Sequence, residues 1–313
     1  DYWNPDSCDI SLLEDDMKKA MIVVMALLFV GALLADESID YDSLSLSELL
    51  EYANNGDAVG QFALAARYAY GYGVAQDYKE ALKWYGLAAE KGFVFSQFII
   101  GTMYFKGEGV SQDYKEALKW YRLAADQGLA IAQYNIGVMY DIGQGVTQDY
   151  KEAFNWYRLA AEKGHVISQF ITGTMYYKGK GVIQDYKEAL KWYRIVAEQG
   201  DTFAQYSVGT MYYTGQGVTQ DYKEALKWFR LAAEQGDTSA QQIIGLMYLT
   251  GLGVVKNVEQ AYFWLLIAAA NAIGEDFIEI SEARDEAGGQ LTPTQRNSIQ
   301  QEATAWMCER GFE

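Results

Sequence analysis

Histidine, cysteine and proline are almost missing from this chain of 313 residues: it holds one, two and two of them. With His165 alone, neither a histidine metal cluster nor a Ser-His-Asp triad can be assembled. His165 sits where related segments carry Asp, Phe or Leu, and reads as a surface substitution. Two cysteines, Cys8 and Cys308, cannot build a disulfide framework across a chain this long. A nucleophilic role for Cys308 would need a basic neighbourhood, and Glu309 and Arg310 oppose each other there, so a partly buried thiol on a terminal helix is expected. No GxSxG elbow and no SxxK pair occurs. The GxG turns continue as GEGVSQ or GQGVTQ, without a third glycine or a Walker lysine, and so read as turns and not phosphate cradles. The residues point away from an enzyme, and no cofactor is expected.

Positive charge is also scarce. Twenty-five Lys and Arg stand against 42 Asp and Glu, a formal charge of −17. Such a surface repels phosphate backbones and anionic membranes, which argues against nucleic acid as a partner class. Basic peptides, cationic proteins and neutral glycans remain.

What the chain has in abundance is repetition. Gly56, Gly92, Gly128, Gly164, Gly200 and Gly236 recur every 36 residues, as do Trp84, Trp120, Trp156, Trp192, Trp228 and Trp264. Six copies fill residues 56–271, the signature of a solenoid of stacked supersecondary units. In residues 113–127 of the second copy, Tyr114, Ala117, Leu118, Tyr121, Ala124 and Ala125 fall at helical steps, with Lys115, Lys119, Arg122 and Asp126 opposite. Asp113 is placed to cap this helix, with Glu116 three positions on to reach back. The pair returns as Asp77 and Glu80, Asp149 and Glu152, Asp185 and Glu188, and Asp221 and Glu224, and is weakened to Asn257 and Gln260 in the last copy. These acids therefore read as caps, not as an acid–base pair. The other helix of the unit runs, in the third copy, from about Leu129 to Ile142, and glycine pairs such as Gly143 and Gly145 end it. The six tryptophans are expected to wedge between helices as the structural core of the repeats.

The combination AQYNIGVMY, then GQGV, then DYKEAFNWYRLAA resembles the Sel-one-like repeat family, a relative of the tetratricopeptide repeats. The resemblance covers residues 56–271. It implies an all-α fold: a right-handed α/α superhelical solenoid of six 36-residue helix-turn-helix repeats with capping helices at both ends. It also implies binding or adaptor work. A secreted branch of the family carries a cysteine pair in each repeat and suggests a cell-wall or β-lactam hydrolase as the alternative. No cysteine lies between Asp36 and Met307 here.

In superhelices of this type the first helices line the concave side. On one face of those helices stand Phe95, Phe98, Thr102 and Phe105, then Ile131, Tyr134, Val138 and Asp141, then Ile167, Phe170, Thr174 and Tyr177, then Phe203, Tyr206, Thr210 and Tyr213. The candidate binding residues are Phe98, Phe105, Tyr134, Asp141, Phe170, Tyr177, Tyr206 and Tyr213. They either hold a protein, peptide or glycan, or only pack neighbouring repeats. Lys106, Lys178 and Lys180, near the turns, read as a solvated edge.

Flanking the repeats, Met17, Lys18 and Lys19 precede an apolar run from Ala20 to Leu34 and then Ala35, the layout of a secretory signal peptide. Residues 1–16 are then an upstream extension, residues 17–35 the signal, and the chain is exported to a bacterial periplasm or beyond. A retained membrane anchor is the rival reading. After cleavage no stable membrane insertion is expected. Removing residues 1–35, whose six acids and two lysines carry −4, would leave −13. Residues 36–55 offer an N-terminal capping helix, with Ser45 and Glu48 at capping spacing. Residues 272–313 offer C-terminal capping helices, one over 275–287 stopped by Gly288 and Gly289, and one started by Thr292, Pro293 and Gln295.

Overall fold

A computed structural model describes residue 41 and residues 43–311, and among these every regular element is an α-helix. The segments 1–16 and 17–35 lie outside the described residues. Contacts divide the chain into two units, residues 1–148 and 149–313. Unit 1 contains α1 Leu46–Asn54, α2 Ala58–Tyr70, α3 Tyr78–Glu90, α4 Val94–Lys106, α5 Tyr114–Asp126 and α6 Ala130–Ile142. Unit 2 contains α7 Tyr150–Glu162, α8 Val166–Lys178, α9 Tyr186–Ala197, α10 Thr202–Thr214, α11 Tyr222–Glu234, α12 Thr238–Thr250, α13 Val258–Asn271, α14 Gly274–Gly289 and α15 Pro293–Arg310. Within each unit, successive helices pack on one another as solenoid pairs, and α15 returns to pack on α13.

The second helix of each pair starts identically. Asp113 Oδ1 accepts from the amides of Lys115 and Glu116 at 2.9 and 3.0 Å, and Asp77, Asp149, Asp185 and Asp221 do the same for their helices. Asn257 caps α13 on the same two amides, at 3.1 Å to both Glu259 and Gln260, with a neutral acceptor in place of the carboxylate. The reciprocal box does not form in the repeats, which corrects the expectation for Glu116 and its equivalents. Where a lysine follows three residues on, it takes the glutamate: Glu116 accepts from Lys119 at 2.6 Å and Glu224 from Lys227 at 2.6 Å, whereas Glu152, followed by Asn155, forms no box either. True boxes close the ends instead, at Ser45 with Glu48 and at Thr292 with Gln295.

The tryptophans are not the deepest wedge. Trp84 and Trp264 are buried, whereas Trp120, Trp156, Trp192 and Trp228 are half-buried. Full burial belongs to the residue after each tryptophan: Tyr85, Tyr121, Tyr157, Tyr193, Phe229 and Leu265. These residues explain the first-helix glycines. A Cβ on Gly209 would lie 2.7 Å from the Phe229 ring, and one on Gly101 would lie 2.7 Å from Tyr121. The missing side chain is the socket that admits the ring. From the second repeat on, the second glycine of each turn serves another contact. A Cβ on Gly109 would meet the Tyr78 backbone at 2.6 Å, so this turn presses on the start of the preceding second helix.

Buried amides tie one pair to the next. Gln61, Gln97, Gln133, Gln169, Gln205 and Gln241 each donate Nε2 to the carbonyl of an alanine near the end of the preceding helix, at 3.0 to 3.3 Å. A buried amide left unpaired would cost about 1–3 kcal/mol, so this spacing fixes how each pair seats on its predecessor. At the C-terminal end, Gly288 and Gly289 are the last two residues of α14, which stops with them and not before them. Gly288 leaves room for the Tyr262 ring, which lies 2.9 Å from where its Cβ would be.

Candidate binding face

The first helices of the repeats are α2, α4, α6, α8, α10 and α12, and each ends at a glycine in the left-handed conformation. They start differently from one another. Asp57, His165, Asp201 and Asp237 cap with side chains, while Phe93 and Leu129 occupy the same position without a side-chain hydrogen bond. His165 is therefore not a plain surface substitution: it is half-buried, and its Nδ1 accepts from the Ser168 amide at 3.3 Å. Burial holds its imidazole below the ordinary value of 6.5. Burial also raises the Asp237 carboxyl, against the pull of its bond from the Ala240 amide.

In unit 1, Phe98 is buried against Tyr121, with ring centroids 5.7 Å apart. Half-buried Phe105 meets Tyr114 edge-on at 5.1 Å. Tyr134 and Asp141 are half-buried on α6. In unit 2, Phe170 stacks toward Tyr193 at 5.2 Å and Tyr206 toward Phe229 at 5.7 Å. Tyr177 and Tyr213 each meet a tyrosine of the following helix, Tyr186 and Tyr222, edge-on at 5.2 Å. All four are half-buried, so the same rings pack the pairs and present an edge to solvent. Burial raises the phenols of Tyr177 and Tyr206, and the nearby Asp237 carboxylate adds to the effect on Tyr206.

The open part of the face in unit 2 is carried by residues outside that set. Ile167 is 53% and Phe203 63% exposed, at the same register of α8 and α10, and Leu246 is exposed on α12. Helical periodicity puts Ile167 and Phe203 on the same side as Phe170 and Tyr206. Only the burial of Phe170 and Tyr206 beneath them shows which side chain is open for contact. Polar groups between them turn inward: Thr174 donates to the Phe170 carbonyl at 3.0 Å, Ser207 to Phe203 at 2.8 Å, and Thr210 to Tyr206 at 3.0 Å.

Among the described residues no group of three or more His, Cys, Asp or Glu is placed to hold a metal ion, and no helix is long and apolar enough to cross a membrane. Cys308 is exposed on α15.

A model of the Sel1 repeat matches six consecutive segments, residues 58–93, 94–129, 130–165, 166–201, 202–237 and 238–272. The chain belongs to the Sel1 repeat family. Its Sel1 repeats begin with α2, α4, α6, α8, α10 and α12, two residues after the frame set by the turn glycines. Among solved structures, the chain is similar to a protective antigen present in uropathogenic Escherichia coli strains that displays an SLR fold. The identity is 33% and the TM-score 0.69, over 86% of this chain and 56% of that one. It is also similar to a Sel1 repeat protein from Oxalobacter formigenes, at 35% identity and a TM-score of 0.61, over 71% of this chain and 91% of that one. The chain thus spans little more than half the length of the Escherichia coli antigen. No curated protein matches it.

Proposed function

We propose that this Sel1 repeat protein is a non-enzymatic scaffold, exported to a bacterial envelope, that holds a protein or peptide on the faces of its first helices. The observation that carries the reading is the pair Ile167 and Phe203, large apolar side chains left open at repeated register above rings that are already committed to packing. Exposed apolar groups repeated at one register are an interaction surface more readily than a fold requirement, since the core beneath is complete without them. Export is supported by the signal-like layout of residues 17–35.

The test is recovery of partners from envelope extracts with the chain as bait. One variant carries Tyr134, Phe170, Tyr206 and Tyr213 all changed to Ala. Because those rings pack helix pairs, a second carries only I167S and F203S, which leave the core intact. Partners lost by both variants support the face, and equal recovery by I167S/F203S removes it. Fractionation of the host with mass spectrometry of the N-terminus tests export: cytoplasmic, uncut chain would reject it.

A further inference from the structure

The last two first helices of unit 2 start on acids, where those of the second and third copies in unit 1 start on apolar residues. α10 and α12 begin at Asp201 and Asp237, and each cap uses Oδ1, which accepts from Ala204 at 2.8 Å and from Ala240 at 2.7 Å. The turns before them read Glu198-Gln199-Gly200-Asp201 and Glu234-Gln235-Gly236-Asp237, so each brings a second carboxylate within three residues. Glu198, just past the end of α9, is met by Arg194 at 3.5 Å in an exposed and therefore weak pair. Both aspartates are half-buried, and Asp237 is near enough to Tyr206 for its charge to act on that phenol.

Five hydroxyls of the face have committed their protons. Thr174, Ser207, Thr210 and Thr214 donate to carbonyls one turn back, and Tyr177 donates to Gln216 Oε1 at 2.8 Å. What such a group still offers a ligand is an acceptor lone pair. Aromatic faces add partial negative charge of their own. Around α8, Lys163 lies on the turn before the helix and Lys178 closes it, about 20 Å along the axis from His165 at its start, taking ~1.5 Å per residue. A ligand that fits must bring donors, positive charge and some apolar surface.

We propose that this edge of unit 2 binds a cationic peptide segment, its apolar side chains against Ile167 and Phe203 and its arginine or lysine groups on Asp201 and Asp237. The assignment rests on the scaffold reading above and narrows it to one ligand class. Guanidinium or ammonium to carboxylate is the strong form of hydrogen bond, and the exposed ring of Phe203 can hold a cation over its face.

The experiment is fluorescence anisotropy of the whole chain with a labelled octapeptide of alternating arginine and leucine, and with its glutamate–leucine counterpart. The decisive variant is D201N/D237N, because asparagine caps a helix as well as aspartate does and only the charge is lost. The cationic octapeptide is expected to bind and the acidic one not. D201N/D237N is expected to weaken binding about tenfold or more and to flatten its salt dependence. F203S is expected to weaken binding several-fold with the salt dependence kept. Equal binding of both peptides, no binding of the cationic one, or unchanged affinity in D201N/D237N would overturn the assignment. Should that happen while I167S/F203S still loses its partners in the envelope extracts, the charge assignment alone fails. Should I167S/F203S recover them all, the scaffold reading fails with it.

Discussion

Unit 1 and unit 2 build the same helix pair, but two of the three first helices of unit 1 start differently from those of unit 2. The third, at Asp57, is capped as in unit 2. In unit 1 the first helices of the second and third copies begin at Phe93 and Leu129, which cap nothing, and Phe93 instead packs on Phe62 at 5.1 Å and on Phe95 at 6.0 Å. In unit 2 the corresponding residues are His165, Asp201 and Asp237, each accepting a backbone amide. The second helices show no such split, since Asp or Asn starts all six with two amides each. One end of the repeat is fixed by the fold and the other is free to vary. Surface chemistry can therefore change from copy to copy without disturbing the stack.

The largest effect that could break this picture lies in the part both units share. Phe229→Ala should cost about 3–5 kcal/mol, because it empties the socket opposite Gly209. Tyr121→Ala in unit 1 should cost as much. In urea denaturation Trp228→Ala should lose clearly less than Phe229→Ala, since Trp228 is only half-buried. The reverse order would restore the tryptophan as the wedge. Next comes Gly209→Ala, whose Cβ collides with the Phe229 ring; overpacking of this kind costs about 1–3 kcal/mol, against which alanine returns up to ~1 kcal/mol of helix propensity. A stabilised variant would show that the ring has room to shift.

The caps come third. Asp221→Ala should lose about 1 kcal/mol, because two first-turn amides lose their acceptor. Leu129→Asp should change stability by less than that, as a gained cap offsets the lost apolar contact. If Leu129→Asp destabilised as much as Asp221→Ala, the apolar starts of unit 1 would be structural requirements and not free positions.

How much of this the sequence discloses follows from what periodicity encodes. A repeat of 36 with paired glycines and an aspartate before each second helix specifies the helices, their ends and their order, because those depend on neighbours in the chain. The side on which Trp120 or Tyr121 lands depends on the angle at which two helices meet. Both stand on the apolar half of α5, one residue apart, and only Gly101 opposite decides between them. The same limit applies to the candidate face. Phe98, Phe105, Phe170, Tyr177, Tyr206 and Tyr213 share one side of a helical wheel, yet a wheel does not separate rings that pack from rings that touch solvent. Phe98 is buried, while Phe203, at the exposed edge of the same side, carries the open surface. His165 misleads because its position is filled elsewhere by Phe and Leu, which cap nothing, as well as by Asp, so the alignment alone does not separate a cap from a surface residue.

His165 gives the smallest expected effect and the finest test of the comparison. Burial lowers its folded-state pKa below the ordinary 6.5, so between the two values the unfolded chain binds more protons than the folded one. Stability is therefore fully present above pH 6.5 and is lost as pH falls through the folded value. A neutral imidazole is also what the cap needs, because Nδ1 must accept from the Ser168 amide, and a protonated ring has no lone pair left to offer there. His165→Asn keeps an acceptor at the cap and removes the titration. Urea midpoints taken from about pH 7.5 to about pH 5.5, above the range where most carboxylates protonate, should fall more for the native chain than for H165N. Burial raises the Asp237 carboxyl toward that range, so the pair of curves is repeated in a D201N/D237N background, where the gap between His165 and H165N should remain. Parallel curves for the native chain and H165N would mean that the imidazole keeps enough water to charge in place, and unit 2 would then carry a third ionisable start with no cost attached to its proton.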